Sequence, residues 1–173
     1  MVEDWLRAFT HESGHAVMAA VQSVQCYGVF LRKSPLKATA LVAPLPQPSE
    51  QTNGHRLFLA AGSAAETIIL GNASLPGSKE DRKIFGNPQS TTFDEKVTEA
   101  EQILLHLKAQ TERLASRLND IYQKSGGDFS GFRSQLANLG EGVIDHRVLL
   151  NEDELKEELR RFSYTIGLNS PRL

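Results

Sequence analysis

Two histidines four residues apart, inside a segment of helical periodicity, constrain this chain more than any other feature. Apolar residues recur at helical spacing between Asp4 and about Val24, namely Trp5, Leu6, Phe9, Ala16, Val17, Ala20, Val21 and Val24. The pattern predicts an amphipathic helix. His11 and His15 lie one turn apart on it, away from the apolar stripe, so both rings can reach one point in space.

Residues 11 to 15 read His-Glu-Ser-Gly-His and match H-E-x-x-H, a motif that indicates a zinc site when it lies on a helix. Both imidazoles can bind one ion at about 2.0 to 2.1 Å. Glu12 lies about 100° around the helix from His11, and we expect it to act as a catalytic base and not as a ligand. The alternative is two surface histidines and no metal. Gly14 costs about 1 kcal/mol in a helix, which predicts the close approach of another element.

The composition favours a single domain and excludes several classes of protein. The 173 residues are 40% hydrophobic and 23% charged, and the net charge of −2 gives no basic surface for nucleic acid. Cys26 is the single cysteine, so a disulfide framework is excluded. Residues 1–10 hold no secretion signal, and the apolar run Leu57–Leu70, which contains Glu66, is too short to span a bilayer. We therefore expect a cytoplasmic protein with no membrane insertion.

The remaining patterns predict a mainly α fold with one small β-hairpin. Tyr27–Lys33 and Ala38–Ala43 are the predicted strands of the hairpin. A helix is expected from Thr52 to Leu70, ended by Gly71. Further helices are expected from a Ser78-x-x-Asp81 capping box to Pro88, and over Glu152–Phe162, where Asn151 and Glu154 cap the start.

The longest periodic run, Val97–Ile121, predicts one helix of about 30 residues in the C-terminal half. Thr92 with Glu95 can cap its start, and Gly126-Gly127 can end it. Its spacing is compatible with a coiled coil, but we favour packing within the same domain. The expected organisation is one domain over 1–173, with the metal site in 1–90 and a helical part in 91–173.

A catalytic zinc generally takes a third protein ligand. The residues after His15 lack the metzincin extension, so the ligand must come from farther along the chain. Five residues are candidates: His55, Glu66, Asp81, His106 and His146. Asp81 can equally be a helix cap. Glu66 is the one charged residue between Leu57 and Leu70, on a helix whose apolar character predicts burial, and we favour a role in orienting a ligand histidine over direct ligation.

Several blocks occur in the order found in a known family. Phe9–Val17, Ala61–Glu66, Gly71 and Gly77–Asp81 resemble the peptidase domain of the FtsH-type membrane AAA+ proteases, and Leu149–Leu159 is similar to the C-terminal helix of that domain. The resemblance implies a helical peptidase domain that uses Zn²⁺ to hydrolyse peptide bonds through a metal-activated water. It also implies that Asp81 is the third ligand beside His11 and His15.

The family carries transmembrane helices and an ATPase module ahead of the peptidase domain, whereas this chain begins ten residues before His11. Residues 71–79 do not match a phosphate-binding loop. We therefore expect a stand-alone, divergent relative that cuts peptides or unfolded proteins, as a homo-oligomer or with a separate AAA+ partner. The alternative is a non-catalytic protein that uses the Val97–Ile121 helix for oligomerisation or partner binding.

Overall fold

Helix α1 (Trp5–Val21) is covered on two sides, by α2 (Asn53–Leu70) and by α5 (Lys108–Lys124). The computed structural model describes residues 5–33, 36–42, 45–86, 91–124 and 146–166. Residues 9 to 19 of α1 are all buried, including both histidines. The prediction of which residues are buried was therefore wrong at the ends of the helix, where Leu6 and Val21 are 50% and 46% exposed. The histidine side is buried because α2 packs against it.

The predicted start and end of α2 are confirmed. Thr52 is the N-cap and exchanges hydrogen bonds with His55, and Gly71 ends the helix with a φ of 85°. Residues 57 to 66 are buried, as expected for an apolar helix. The close approach predicted at Gly14 is also present, because a Cβ there would lie 2.4 Å from the carbonyl oxygen of Ala61.

The β-sheet has one strand more than the predicted hairpin. Strands β1 (Cys26–Lys33), β2 (Leu36–Val42) and β3 (His146–Asn151) form an antiparallel sheet in the order β2-β1-β3. The third strand was missed because six residues give too little alternation to recognise, and its backbone partner β1 lies far away in sequence. Leu36 and Lys37 belong to β2 and not to a turn.

Helix α3 (Leu75–Phe85) begins one turn earlier than predicted. Its N-cap is Ser74, whose side chain accepts a hydrogen bond from the amide of Gly77. Pro76 at the second helical position also fits a start there. Ser78, the predicted cap, is buried inside the helix. Asp81 consequently lies in the second turn of α3 and not at its beginning.

The prediction of a single long helix was wrong, because the structure has two helices, α4 (Phe93–Leu105) and then α5. The predicted capping box of Thr92 and Glu95 starts α4. At the break, the amides of His106 and Leu107 donate to carbonyls three residues back, which tightens the backbone. Because α4 packs against α2 and α5 against α1, the apolar spacing continues across the break although the helix does not. Gly126-Gly127 lies outside the described residues.

Helix α6 (Glu152–Ile166) starts at the predicted cap, where Asn151 and Glu154 exchange hydrogen bonds. The chain is mainly helical, and the predicted parts 1–90 and 91–173 share one apolar core that includes Phe9, Leu59, Leu104, Leu118 and Leu155. Among the described residues, no helix combines the length and the apolar character needed to cross a membrane.

Candidate metal centre

Helix α1 brings His11 and His15 together as their spacing predicts. Their ring centroids are 4.7 Å apart, and the two Nε2 atoms lie 3.0 Å from each other. Both residues are buried, with 6% and 4% of their surface exposed. Two buried ring nitrogens therefore face one point between α1 and α2.

Asp81 reaches the same point from α3. Its Oδ2 lies 3.0 Å from Nε2 of His11 and 3.4 Å from Nε2 of His15. The three residues form a group whose ligand atoms lie close enough to hold one metal ion. A helix that follows α2 through a short loop thus supplies a carboxylate to the two histidines of α1.

The donor set and its dimensions fit zinc. A tetrahedral ion bound at about 2.0 to 2.1 Å holds its ligand atoms about 3.3 Å apart, close to the 3.0 to 3.4 Å measured among these three atoms. Two imidazoles with one carboxylate are also a donor set of catalytic zinc sites, which keep a fourth position for water or substrate. His11, His15 and Asp81 therefore have the donor atoms and the spacing that a zinc ion would need.

The second nitrogen of each ring is already used. Nδ1 of His15 donates to the carbonyl oxygen of Phe58 at 2.7 Å, and Nδ1 of His11 donates to Oε1 of Glu66 at 2.8 Å. A carbonyl or carboxylate oxygen accepts hydrogen bonds, so each Nδ1 carries the proton. In the neutral rings the lone pair of each Nε2 then points at Asp81. This tautomer, with the proton on Nδ1, is the one that a metal bound at Nε2 requires.

Glu66 orients His11 and does not lie among the converging atoms. It is 1% exposed, and each of its oxygens has two partners. Oε1 accepts from His11 and from the hydroxyl of Ser74, while Oε2 accepts from Arg7 and from the amide of Ser74. Its carboxylate thus contacts the Nδ1 side of His11, opposite the side that faces Asp81.

Two glycines leave room for the His11 ring. A Cβ on Gly62 would lie 2.4 Å from Nε2 of His11, and a Cβ on Gly77 would lie 2.9 Å from Oε1 of Glu66 and 3.3 Å from Nδ1 of His11. The two contacts below 3.0 Å are too short for a Cβ atom, and the contact at 3.3 Å is tight. Gly62 on α2 and Gly77 on α3 therefore allow both helices to approach the imidazole.

The three converging groups perturb one another's pKa. Burial by itself lowers the pKa of His11, but hydrogen bonds to Asp81 and Glu66 outweigh it and raise the pKa to about 10. Burial is likewise outweighed at His15, where the charge of Asp81 raises the pKa. Burial favours a higher pKa for Asp81, yet the charges of His15 and His11 hold that pKa well below its usual range. The centre therefore favours positive charge between these groups, which a proton or a metal ion can supply.

Glu12 lies between the two histidines on α1 and is 9% exposed. Its negative charge contributes to the raised pKa of both His11 and His15, but less than the hydrogen bonds of His11 to Asp81 and Glu66 and less than the charge of Asp81 at His15. A carboxylate at this position is close enough to the centre to influence its protons. Its predicted role as base stays a prediction.

Two of the other three candidate ligands, His55 and His106, have positions away from the centre. His55 belongs to the capping box of α2, where its Nδ1 accepts from the amide of Thr52 at 3.1 Å. His106 is the exposed C-cap of α4. His146 is the first residue of β3, and its side chain lies outside the described part of the chain.

Sequence reasoning missed Arg7, Ser74 and the carbonyl of Phe58 as partners of the centre. A backbone carbonyl leaves no mark in the sequence, and neither Arg7 nor Ser74 belongs to a motif. Gly62 and Gly77 lie in the blocks that resemble the FtsH-type proteases, so their presence there was a usable signal. Comparison with protein-family models and with curated proteins finds no match for this chain. The likeness to the FtsH-type proteases therefore stays a resemblance.

Proposed function

We propose that this chain is a zinc-dependent endopeptidase that hydrolyses peptides or unfolded protein segments. The observation that carries the proposal is the convergence of three acceptor atoms on one point, from the buried His11 and His15 and the partly buried Asp81. Hydrogen bonds at Nδ1 fix both rings in the tautomer that exposes Nε2. Three acceptors directed at each other need a cation between them, and this donor set favours zinc.

In the proposed reaction, a bound Zn²⁺ would supply a Lewis acid that acidifies water and polarises the peptide carbonyl. The carboxylate of Glu12 would accept a proton from the attacking water and deliver it to the nitrogen of the leaving amine. Glu66 would keep Nδ1 of His11 protonated and its ring in place. The three helices that bury the centre would limit access of bulk water.

We further propose that the chain is a divergent relative of the FtsH-type peptidase domain. The position of Asp81 supports this proposal, because the resemblance favoured Asp81 among five candidates and its carboxylate lies against both histidines. We propose no ATPase function for this chain. An unfolded test protein is therefore a suitable substrate, since it needs no unfolding step.

Replacing Glu12 by Gln tests the proposed function. We expect E12Q to bind zinc at the wild-type stoichiometry but to cleave unfolded casein at least about 100-fold more slowly, because an amide cannot accept the proton. The matched control is E112Q on the surface of α5, which should cleave at the wild-type rate. Elemental analysis gives the metal content. A wild-type protein that holds one zinc ion and cleaves nothing would favour the non-catalytic alternative.

A further inference from the structure

One guanidinium group joins the two parts of the chain that carry the candidate ligands. Arg7 lies one turn before His11 on α1. Its Nη1 donates to Oε2 of Glu66 at 2.7 Å and to the carbonyl oxygen of Asn72 at 2.9 Å, and its Nη2 donates to the side-chain oxygen of Asn72 at 2.9 Å. Arg7 thus contacts the carboxylate that holds His11 and the loop that leads to Asp81.

We propose that Arg7 is a positioning residue of the metal centre, which acts on His11 through Glu66 and on Asp81 through the loop at Asn72. The inference rests on the proposed function and adds a residue that lies outside the zinc motif. The described hydrogen bonds of Arg7 go to Glu66 and Asn72 and not to the three converging atoms. Its effect is on where those atoms are held.

Glu66 depends on Arg7 for a cationic partner. Its carboxylate is buried, so its negative charge needs a partner inside the protein. Arg7 contacts Oε2, and the side chain of His11 contacts Oε1. Removing the guanidinium would leave Oε2 with a single described partner, the amide of Ser74, and would allow the carboxylate to turn. The ring of His11 would then lose its fixed direction.

Arg7 also contacts the loop that leads into α3. Asn72 lies in the loop between α2 and α3, two residues before the N-cap Ser74. Ser74 also donates to Glu66 through its amide and its hydroxyl. The loop is therefore bound at two residues, at Asn72 by Arg7 and at Ser74 by Glu66. Because α3 is a rigid helix, fixing its first turn also fixes Asp81 in its second turn.

Arginine suits this position better than lysine. The two terminal nitrogens of a planar guanidinium can bind Glu66 and Asn72 at the same time, whereas an ammonium group is a single compact donor. Lysine could replace the contact with Glu66 or the contact with Asn72. We therefore expect R7K to restore part of the function of Arg7.

Metal affinity tests the proposal without any activity measurement. The Kd for Zn²⁺ is measured by competition with a chelator, and the absorption spectrum of Co²⁺ in the same site reports the ligand geometry. We expect R7M, which keeps the apolar stem of the side chain, to weaken Zn²⁺ binding about 10- to 100-fold and to alter the Co²⁺ spectrum. R7K should fall between R7M and the wild type.

The matched control is R117M. Arg117 also pairs with a glutamate, Glu158, but on the surface of α5 and α6. R117M should bind both ions as the wild type does. A double-mutant cycle with E66Q separates the route through Glu66: the combined loss in R7M/E66Q should be smaller than the product of the two single losses.

The metal affinities of R7M and of the wild type distinguish a failure of the role of Arg7 from a failure of the proposed function. Wild-type affinity and an unchanged Co²⁺ spectrum in R7M would overturn the role of Arg7, even if the melting temperature of the metal-free protein falls. Should R7M fail to fold, R7K and N72A carry the same comparison, and wild-type affinity in both would overturn it. A wild-type protein that binds neither ion would overturn the proposed function and this inference together.

Discussion

Each imidazole of the candidate centre uses its Nδ1 for one fixed hydrogen bond and turns its Nε2 to a common point. The acceptors are different in kind: a backbone carbonyl for His15 and a buried carboxylate for His11. The carbonyl belongs to α2 and cannot be removed by a side-chain substitution. Substitutions of neighbouring side chains should therefore disturb the orientation of the His15 ring less than that of the His11 ring, which depends on Glu66.

Asp81 supplies the one negative charge among the three converging groups. We expect D81N to weaken Zn²⁺ binding by about 100-fold or more, because the amide is neutral and is a poor zinc ligand. Competition with a chelator measures the affinity. D120N, at an exposed position of α5, is the control and should bind zinc normally. Equal affinity in D81N and the wild type would remove Asp81 from the site.

The raised pKa of His11 gives the metal-free protein a definite pH dependence. Its folded pKa of about 10 exceeds the unfolded value of 6.5, so the protonated form stabilises the fold. This stabilisation is complete below about pH 6.5 and is lost as the pH rises through about 10. Urea denaturation of the chelator-treated protein should show a falling free energy of unfolding across this range.

Zinc binding should show the opposite dependence, because the metal must displace the proton from Nε2 of His11. Apparent affinity should increase between pH 6.5 and 8.5, and titration calorimetry in buffers of different ionisation enthalpy should detect proton release. A zinc affinity that is constant over this pH range would contradict the protonation of His11 in the metal-free centre.

At the level of elements, close packing between α1 and α2 sets the depth at which the histidines are buried. A Cβ on Gly14 would lie 2.4 Å from the carbonyl oxygen of Ala61 and 2.6 Å from Cβ of Ala65. The backbones of the two helices therefore approach each other without a side chain between them. This approach allows the His15 ring to reach the carbonyl of Phe58.

We expect G14A to destabilise the protein by about 1 to 3 kcal/mol, because the helices must separate to admit the methyl group. Alanine has the better helix propensity, by about 1 kcal/mol, so the sign of the result shows that packing outweighs propensity. Urea denaturation measures the change. The neighbouring S13A is the control: the Ser13 hydroxyl is buried and has no hydrogen-bond partner among the described residues, so its removal should be neutral or slightly stabilising.

The sequence predicted those elements whose signals are local. The cap of α2 at Thr52, the cap of α4 at Thr92 and the close contact at Gly14 each depend on a few neighbouring residues, and all three are present. The histidine pair is also local, since one helical turn sets its geometry.

Elements that depend on distant partners were missed or misplaced. Strand β3 exists because it pairs with β1, and the break at His106 follows from the packing of α4 and α5 on different helices. Nothing in the residues themselves, which include neither proline nor glycine, signals that break. Arg7 was missed for the same reason, because its role comes from a contact with the distant Glu66.

For the molecule as a whole, the candidate ligands come from α1 and α3, which are far apart in the unfolded chain. An ion that binds all three ligands binds the folded state preferentially and stabilises it. We expect zinc at 100 times its Kd to stabilise the wild type by about 2.7 kcal/mol. Thermal denaturation with and without a chelator measures the effect, and D81N should lose most of it. An unchanged melting temperature in the wild type would argue against a zinc site.

The loop between α2 and α3 limits where homologous chains can gain or lose residues. Glu66, Asn72, Ser74 and Asp81 lie within a short stretch, and Arg7 and His11 of α1 join them in one hydrogen-bonded network, so one inserted residue would shift the carboxylate of Asp81 away from the rings. Homologous chains should therefore differ in length ahead of Thr52 or beyond Phe85, while the spacing from Glu66 to Asp81 stays constant.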